Sequence, residues 1–129
     1  MNKEDLEKAK EVKLKAYCPY SNFEVGAALR TRSGKIYTGC NIENNGIQSI
    51  CAERVAFTKA ISEGEKEFEC ITIIGGEKGK KITEECLPCG YCRQFISEFT
   101  DHNFKIYTYD GTNIKQYTVE NLLPHSFKR

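Results

Sequence analysis

Two short segments constrain this chain more than any other feature: Cys51-Ala52-Glu53 and Pro88-Cys89-Gly90-Tyr91-Cys92. Each opens a stretch with helical periodicity. After Cys51 the apolar residues Ala52, Val55, Ala56, Phe57, Ala60 and Ile61 recur at helical spacing, and Gly64 lies just beyond the end of that stretch. After Pro88, Phe95, Ile96 and Phe99 mark the apolar side of a second helix over residues 89–99. Three thiols and one carboxylate thus stand at helix N-termini. Unpaired backbone N–H groups and the helix dipole favour anions there and lower thiol pKa values. Thiolates so placed suit a metal ion or a redox role.

The rest of the chain supplies a scaffold. Leu6, Ala9, Val12, Leu14 and Ala16 recur among Lys and Glu and predict a surface helix over residues 3–17, stopped by Pro19. Residues 23–31 and 35–40 are strand-like runs joined by the turn Arg32-Ser33-Gly34, and 41–50 is a polar loop broken by Gly46. The β-branched run 70–74, closed by Gly75-Gly76, fits a central strand, and the lysine-rich segment 77–85 an exposed loop. Residues 105–109 and 114–118 complete the strands around the turn Asp110-Gly111, with a short helical turn over 119–123 before Pro124. Strand, helix and strand between residues 70 and 109 suggest a right-handed parallel crossover. The expectation is one α/β domain over residues 1–129, in three α/β/α layers around a mixed five-stranded sheet, without repeat or linker.

Charge narrows the function. With 19 basic against 18 acidic residues the chain has no field to gather nucleic acid or anionic lipid, so a small-molecule partner is expected, with no nucleic acid and no membrane. Neither a membrane-spanning run nor a signal-peptide apolar centre is visible, and the expected compartment is the cytoplasm. Seven cysteines, an odd number beside an ordinary core composition, are unlike a disulfide-stapled secreted domain.

A Cys-x-x-Cys pair chelates one zinc ion, and zinc needs four ligands, so Cys89 and Cys92 must be completed from elsewhere; Cys51 is the attractive third. Three protein ligands leave the fourth position for water, as in a catalytic site. A divalent ion with three thiolates is net negative and acidifies its water poorly. Glu53, in the first turn after Cys51, is placed to take that water's proton. Arg54 and Arg93 have the spacing to hydrogen-bond the thiolates and offset their charge. Three other readings stand beside this one. Cys86 could close a four-cysteine structural site, Cys89 and Cys92 could form a thioredoxin-like redox pair, and strand aromatics could bind RNA.

Cys51-Ala52-Glu53-Arg54 together with Pro88-Cys89-Gly90-Tyr91-Cys92-Arg93-Gln94 resembles the zinc signature of the cytidine deaminase family in its small, all-cysteine form. The resemblance extends to Tyr20-Ser21-Asn22-Phe23-Glu24-Val25-Gly26-Ala27-Ala28, to Gly39-Cys40-Asn41-Ile42-Glu43-Asn44, and to Leu122-Leu123-Pro124 with Phe127. It implies a deaminase-like fold with one zinc per chain on Cys51, Cys89 and Cys92, and water attack at C4 of cytosine with Glu53 moving protons. It implies a role in pyrimidine salvage, converting cytidine and deoxycytidine to uridine and deoxyuridine with release of ammonia. It further implies that Asn41 and Glu43 bind the ribose, that Phe23 and Ala52 contact the nucleoside, and that Phe127 stacks on the base. The family's small members are homotetramers with shared sites. The segment 44–50 departs from the family pattern, being one residue shorter and lacking its tyrosine. Blasticidin S deaminases also shorten this loop, but they lack the Asn-x-Glu pair kept here as Asn41 and Glu43. Cys18, Cys40, Cys70 and Cys86 are expected to be packing thiols, and His102 and His125 surface residues. The glycines of 75–80 do not form a phosphate loop, because Lys81 stands where Ser or Thr is required.

Overall fold

The computed structural model describes residues 2–128. Its first helix, α1 (Lys3–Lys13), is capped by the Asn2 side chain, which accepts from the Glu4 N–H at 2.9 Å. Glu4 and Asp5 in its first turn and Lys10 and Lys13 in its last complement the helix dipole. The helix stops four residues short of the sequence expectation. Leu14 is exposed, which breaks the apolar period, and Tyr17 leaves to pair with the chain beyond β2 (Ile36–Cys40): its N–H donates to Asn41 O at 3.0 Å and its carbonyl accepts from Glu43 N–H at 2.8 Å.

The strands β1 (Phe23–Thr31) and β2 form the expected hairpin, with Gly34 at φ +94° in the turn where a side chain would be strained. Helix α2 (Ala52–Ser62), strand β3 (Phe68–Glu77), helix α3 (Gly90–Phe99), strands β4 (Lys105–Tyr109) and β5 (Ile114–Thr118), and the short α4 (Val119–Leu122) follow. The sheet order is β2-β1-β3-β4-β5. Only β3 and β4 are parallel, so the sheet is mixed and five-stranded as expected.

Strand β3 is longer than expected at both ends, and β2 starts one residue later than expected. Gly75 and Gly76 do not close β3 but continue it, opposite Val25 and Glu24 of β1. Glycine is needed at 75 for space rather than for a turn: a Cβ there would lie 2.9 Å from both Cys86 Sγ and the Phe23 ring.

Alternate residues of β1 face opposite layers. Ala27 and Leu29 join Phe57, Ile71, Ile73, Ile96 and Ile106 under α2 and α3, whereas Ala28 joins Leu6, Ala9 and Ile74 under α1. Phe57 centres an aromatic cluster with Phe68, Phe95, Phe99 and Phe104; its complete burial contributes roughly 1.5–3 kcal/mol. On the α1 side two buried ion pairs fix the helix: Lys13 Nζ with Glu24 at 3.1 Å, and Arg30 Nη2 with Asp5 at 2.7 Å. Among the described residues no helix is long and apolar enough to cross a membrane.

The packing that matters most for the site is that of α2 on β2. A Cβ on Gly39 would stand 2.4 Å from the Ala52 carbonyl oxygen and 2.6 Å from the Ala56 nitrogen. Only glycine lets the first turn of α2 lie this close to the strand, and that turn carries Glu53.

Candidate active site

Cys51 and Cys89 are the N-cap residues of α2 and α3, both with extended backbone, so each helix starts one residue later than the spacing predicts. Cys92 lies fully buried in the first turn of α3, and its N–H points at Cys89 Sγ, 3.5 Å away. The folding of β3 between the two helices brings their N-termini together. The three sulfurs lie within 4.8 Å of one another, with Cys51 Sγ and Cys89 Sγ 3.9 Å apart. Tetrahedral zinc, with Zn–S bonds of about 2.3 Å, holds its thiolates about 3.8 Å apart. The donor set and its spacing therefore fit zinc. Cys86 is not a member of this group among the described residues, so the closed four-cysteine site is not formed.

Electrostatics favour a thiolate at Cys51. Hydrogen bonding from Cys92, and then from Arg54 and Cys89, pulls the Cys51 thiol down to about 5 against the opposing effect of burial. The same contact with Cys51, followed by burial, pushes Cys92 upward, so of these two thiols Cys51 is the one that ionises more readily. Arg54 Nη2 donates to Cys51 Sγ at 3.9 Å and to the Ser49 carbonyl at 3.2 Å, and its guanidinium lies 4.4 Å from the centre of the Tyr91 ring. Arg93 turns elsewhere. Its Nε donates to the Pro88 carbonyl at 2.7 Å and its Nη1 to the Leu122 carbonyl at 3.0 Å, so its hydrogen bonds go to backbone oxygens where the sequence suggested thiolates.

Beside the thiols, Glu53 is only 3% exposed. Burial pushes its carboxyl up to about 7, with the Cys51 charge adding to the rise and Arg54 opposing it. Glu53 shares a cavity of about 250 Å³ with Cys51, Cys89, Asn41 and Glu43, walled by Val25, Ile50, Ala52 and Leu87. That volume is just below the roughly 300–1,000 Å³ usual for small-molecule sites. A hollow of about 400 Å³ beside His102 and His125 is larger but holds no thiol, so chemistry rather than size selects the site.

Asn41 and Glu43 line this cavity but also serve their own chain. The Asn41 amide spans β1, with Oδ1 accepting from Val25 N–H at 2.9 Å and Nδ2 donating to the Phe23 carbonyl at 2.8 Å. Glu43 Oε1 accepts from the N–H groups of Tyr20 and Ser21 at 3.0 and 3.1 Å, and Oε2 accepts from the Ser21 hydroxyl. That hydroxyl contact is the main reason its carboxyl is held below the usual range. Each residue lines the cavity and keeps hydrogen-bonding capacity beyond these contacts.

Phe23 lies one step away, against Gly75 in the hollow beside Glu77 and Lys80. Phe127 is 70% exposed and is not part of the cavity wall. The segment 42–50 closes through an antiparallel bridge between Ile42 and Ile50, which sets Ser49 and Ile50 at the cavity and leaves Ile47 at the tip, 97% exposed. Sequence reasoning missed Val25, Leu87 and Cys86 as cavity residues. The alternation of β1 could have flagged Val25, whereas a loop residue such as Leu87 carries no local signal.

A mixed sheet that brings a three-thiol cluster together from two helix starts, with two of its thiols and a buried glutamate lining one cavity, defines the class: an α/β/α protein with a three-cysteine zinc site and an acid beside it. Residues 1–108 match the family described as the cytidine and deoxycytidylate deaminase zinc-binding region, and the chain belongs to that family. A probable cytidine deaminase of Dictyostelium discoideum is 46% identical over 134 residues, spanning 100% of this chain and 88% of that protein. The cytidine deaminase of Sporosarcina psychrophila is 41% identical over 131 residues, spanning 97% of this chain and 93% of that protein. Among solved structures, the cytidine deaminase of Burkholderia pseudomallei superposes with a TM-score of 0.87 at 36% identity, covering 98% of this chain and 100% of that one.

Proposed function

We propose that this protein hydrolyses the exocyclic amino group of cytidine and deoxycytidine, giving uridine or deoxyuridine and ammonia. The observation that carries the reading is the shared cavity, which joins the three-thiol cluster to a buried glutamate on one side and to Asn41 and Glu43 on the other. A zinc ion held by Cys51, Cys89 and Cys92 would supply Lewis acidity to activate the attacking water.

The chain's own residues do the rest. Glu53 takes the proton of the attacking water and delivers it to ring N3, then carries the second proton to N4 as the C4–N4 bond breaks. A carboxyl raised to about 7 is suited to both accepting and returning a proton near neutral pH. Arg54 offsets the thiolate charge through Cys51. The spare lone pairs and amide proton of Glu43 and Asn41 face the ribose hydroxyls, and Val25, Ala52 and Leu87 exclude water around the ring. Phe23 packs at the edge of the nucleoside. Since the Phe127 ring lies outside its own chain's cavity, it stacks on base bound by a neighbouring subunit of a homotetramer. A cluster of thiolates that must stay reduced suits the cytosol.

Loss of absorbance in the cytosine band on mixing with cytidine, together with zinc content, tests the reading. Wild type is expected to turn over with one zinc per chain. Glu53→Gln is expected to keep zinc and fold and to lose at least about a hundredfold in kcat, the lower range for a positioned acid-base group. Activity confined to blasticidin S or N4-modified cytosines would move the substrate, and a fully active Glu53→Gln would sink the proton-transfer role.

A further inference from the structure

The two residues that follow Cys92 leave the cavity and hold the distant end of the chain. Arg93 reaches the Leu122 carbonyl at 3.0 Å. Gln94 brackets Phe127: its Nε2 donates to the Phe127 carbonyl at 3.0 Å, and the Phe127 N–H donates to its Oε1 at 2.9 Å. Such a reciprocal pair is what one residue of an antiparallel strand offers its partner, here supplied by a side-chain amide. It fixes both the place and the direction of the backbone at residue 127. An exposed phenylalanine is ordinary by itself. This one is 70% exposed, and its backbone is clamped by the helix that carries Cys92.

We propose that Gln94 is a positioning residue for the deamination, its amide clamping the Phe127 backbone so that the ring is presented ready-made to the base in a neighbouring subunit's cavity. The inference rests on the reading that Phe127 stacks on that base. Without the clamp, the segment after Pro124 must be ordered each time substrate binds, and binding weakens accordingly. Stacking on the ring acts on bound substrate and transition state alike, so the loss falls on KM and spares kcat.

The test compares Gln94→Ala, Phe127→Ala and the double variant for kcat and KM with cytidine, each checked for zinc content and melting temperature. A second readout uses Phe127→Trp, which introduces the chain's only tryptophan and reports segment mobility by fluorescence anisotropy. Expected are a rise in KM of about tenfold in each single variant, equivalent to about 1.4 kcal/mol, with kcat within about twofold and zinc retained. The double variant is expected to be no worse than either single one, and Gln94→Ala to lower the anisotropy of the introduced indole.

Unchanged KM in Gln94→Ala beside a raised KM in Phe127→Ala would overturn the clamp and leave the stacking role standing. Additive effects in the double variant would also overturn it, because Gln94 would then act through another group. Unchanged KM in Phe127→Ala would remove the stacking reading and the clamp with it. If Gln94→Ala fails to fold, Gln94→Glu removes the donor to the Phe127 carbonyl but keeps the acceptor; unaltered KM and anisotropy in that variant would overturn the proposal.

Discussion

At the scale of single residues, Arg54 links more of the site than any other side chain. Its guanidinium touches Cys51 Sγ, holds the Ser49 carbonyl of the loop beside the cavity and rests on Tyr91. Removing it takes a donor from the Cys51 sulfur, so the Cys51 thiol pKa should rise and zinc should bind more weakly. For Arg54→Gln the expected loss in zinc affinity is about 10- to 100-fold, the range for partners that support metal ligands, measured by competition with a chromogenic chelator. Affinity equal to wild type would show that charge around the thiolates is supplied elsewhere. The thiols and Glu53 were legible in the sequence because their relations are local: two helix starts and a two-residue spacing. Arg54 was legible for the same reason, three residues from Cys51. The contacts of Arg93 with Leu122, and of Glu43 with Tyr20 and Ser21, were not, because they join positions 29, 23 and 22 residues apart and depend on the finished fold.

At the scale of elements, the site depends on how closely helices approach strands. The α2 backbone lies on Gly39 with no room for a methyl group, and α1 does the same on Gly26, where a Cβ would stand 2.2 Å from the Ala9 carbonyl oxygen. Gly39→Ala must push the first turn of α2 outward, moving Glu53 and Cys51 together. The expected result is a stability loss of about 1–3 kcal/mol from overpacking and a fall in kcat larger than about tenfold, since misplacement of reacting groups by about 1 Å can reach a hundredfold. Urea melts and steady-state kinetics would measure both, and a variant of normal kcat would show that α2 tolerates displacement. Gly39 looked like an ordinary strand residue in the sequence. Strand positions were read well where alternation or β-branching marked them, as in residues 105–109 and 114–118, which match β4 and β5. They were read poorly at Gly75 and Gly76, because a glycine required for space looks the same in sequence as a glycine required for a turn.

At the scale of the molecule, the thiol cluster ties together two helices that the chain otherwise joins through a central strand. Cys51 and Cys89 sit on separate helix starts on one face of the sheet, and α2 and α3 meet further along through Phe57 and Phe95. A metal bound across those starts stabilises only the folded chain, so its binding free energy becomes stability. At a thousandfold excess over its dissociation constant, a ligand contributes about 4 kcal/mol. For a chain of this size that corresponds to a melting temperature higher by roughly 10–15 °C. Stripping zinc with a chelator should therefore lower the melting temperature by that amount, and zinc should restore it where magnesium, which prefers oxygen ligands, should not. The thiols must shed protons to bind, and contact with Cys51 together with burial pushes the Cys92 thiol upward, so release of metal should become easier as pH falls. Cys86→Ala is the control, because that thiol stands in the cavity wall but outside the metal group; its zinc content should stay at the wild-type value. A chelated protein that melts at the holoprotein temperature would mean that α2 and α3 are held by their packing alone, leaving the metal a purely chemical part.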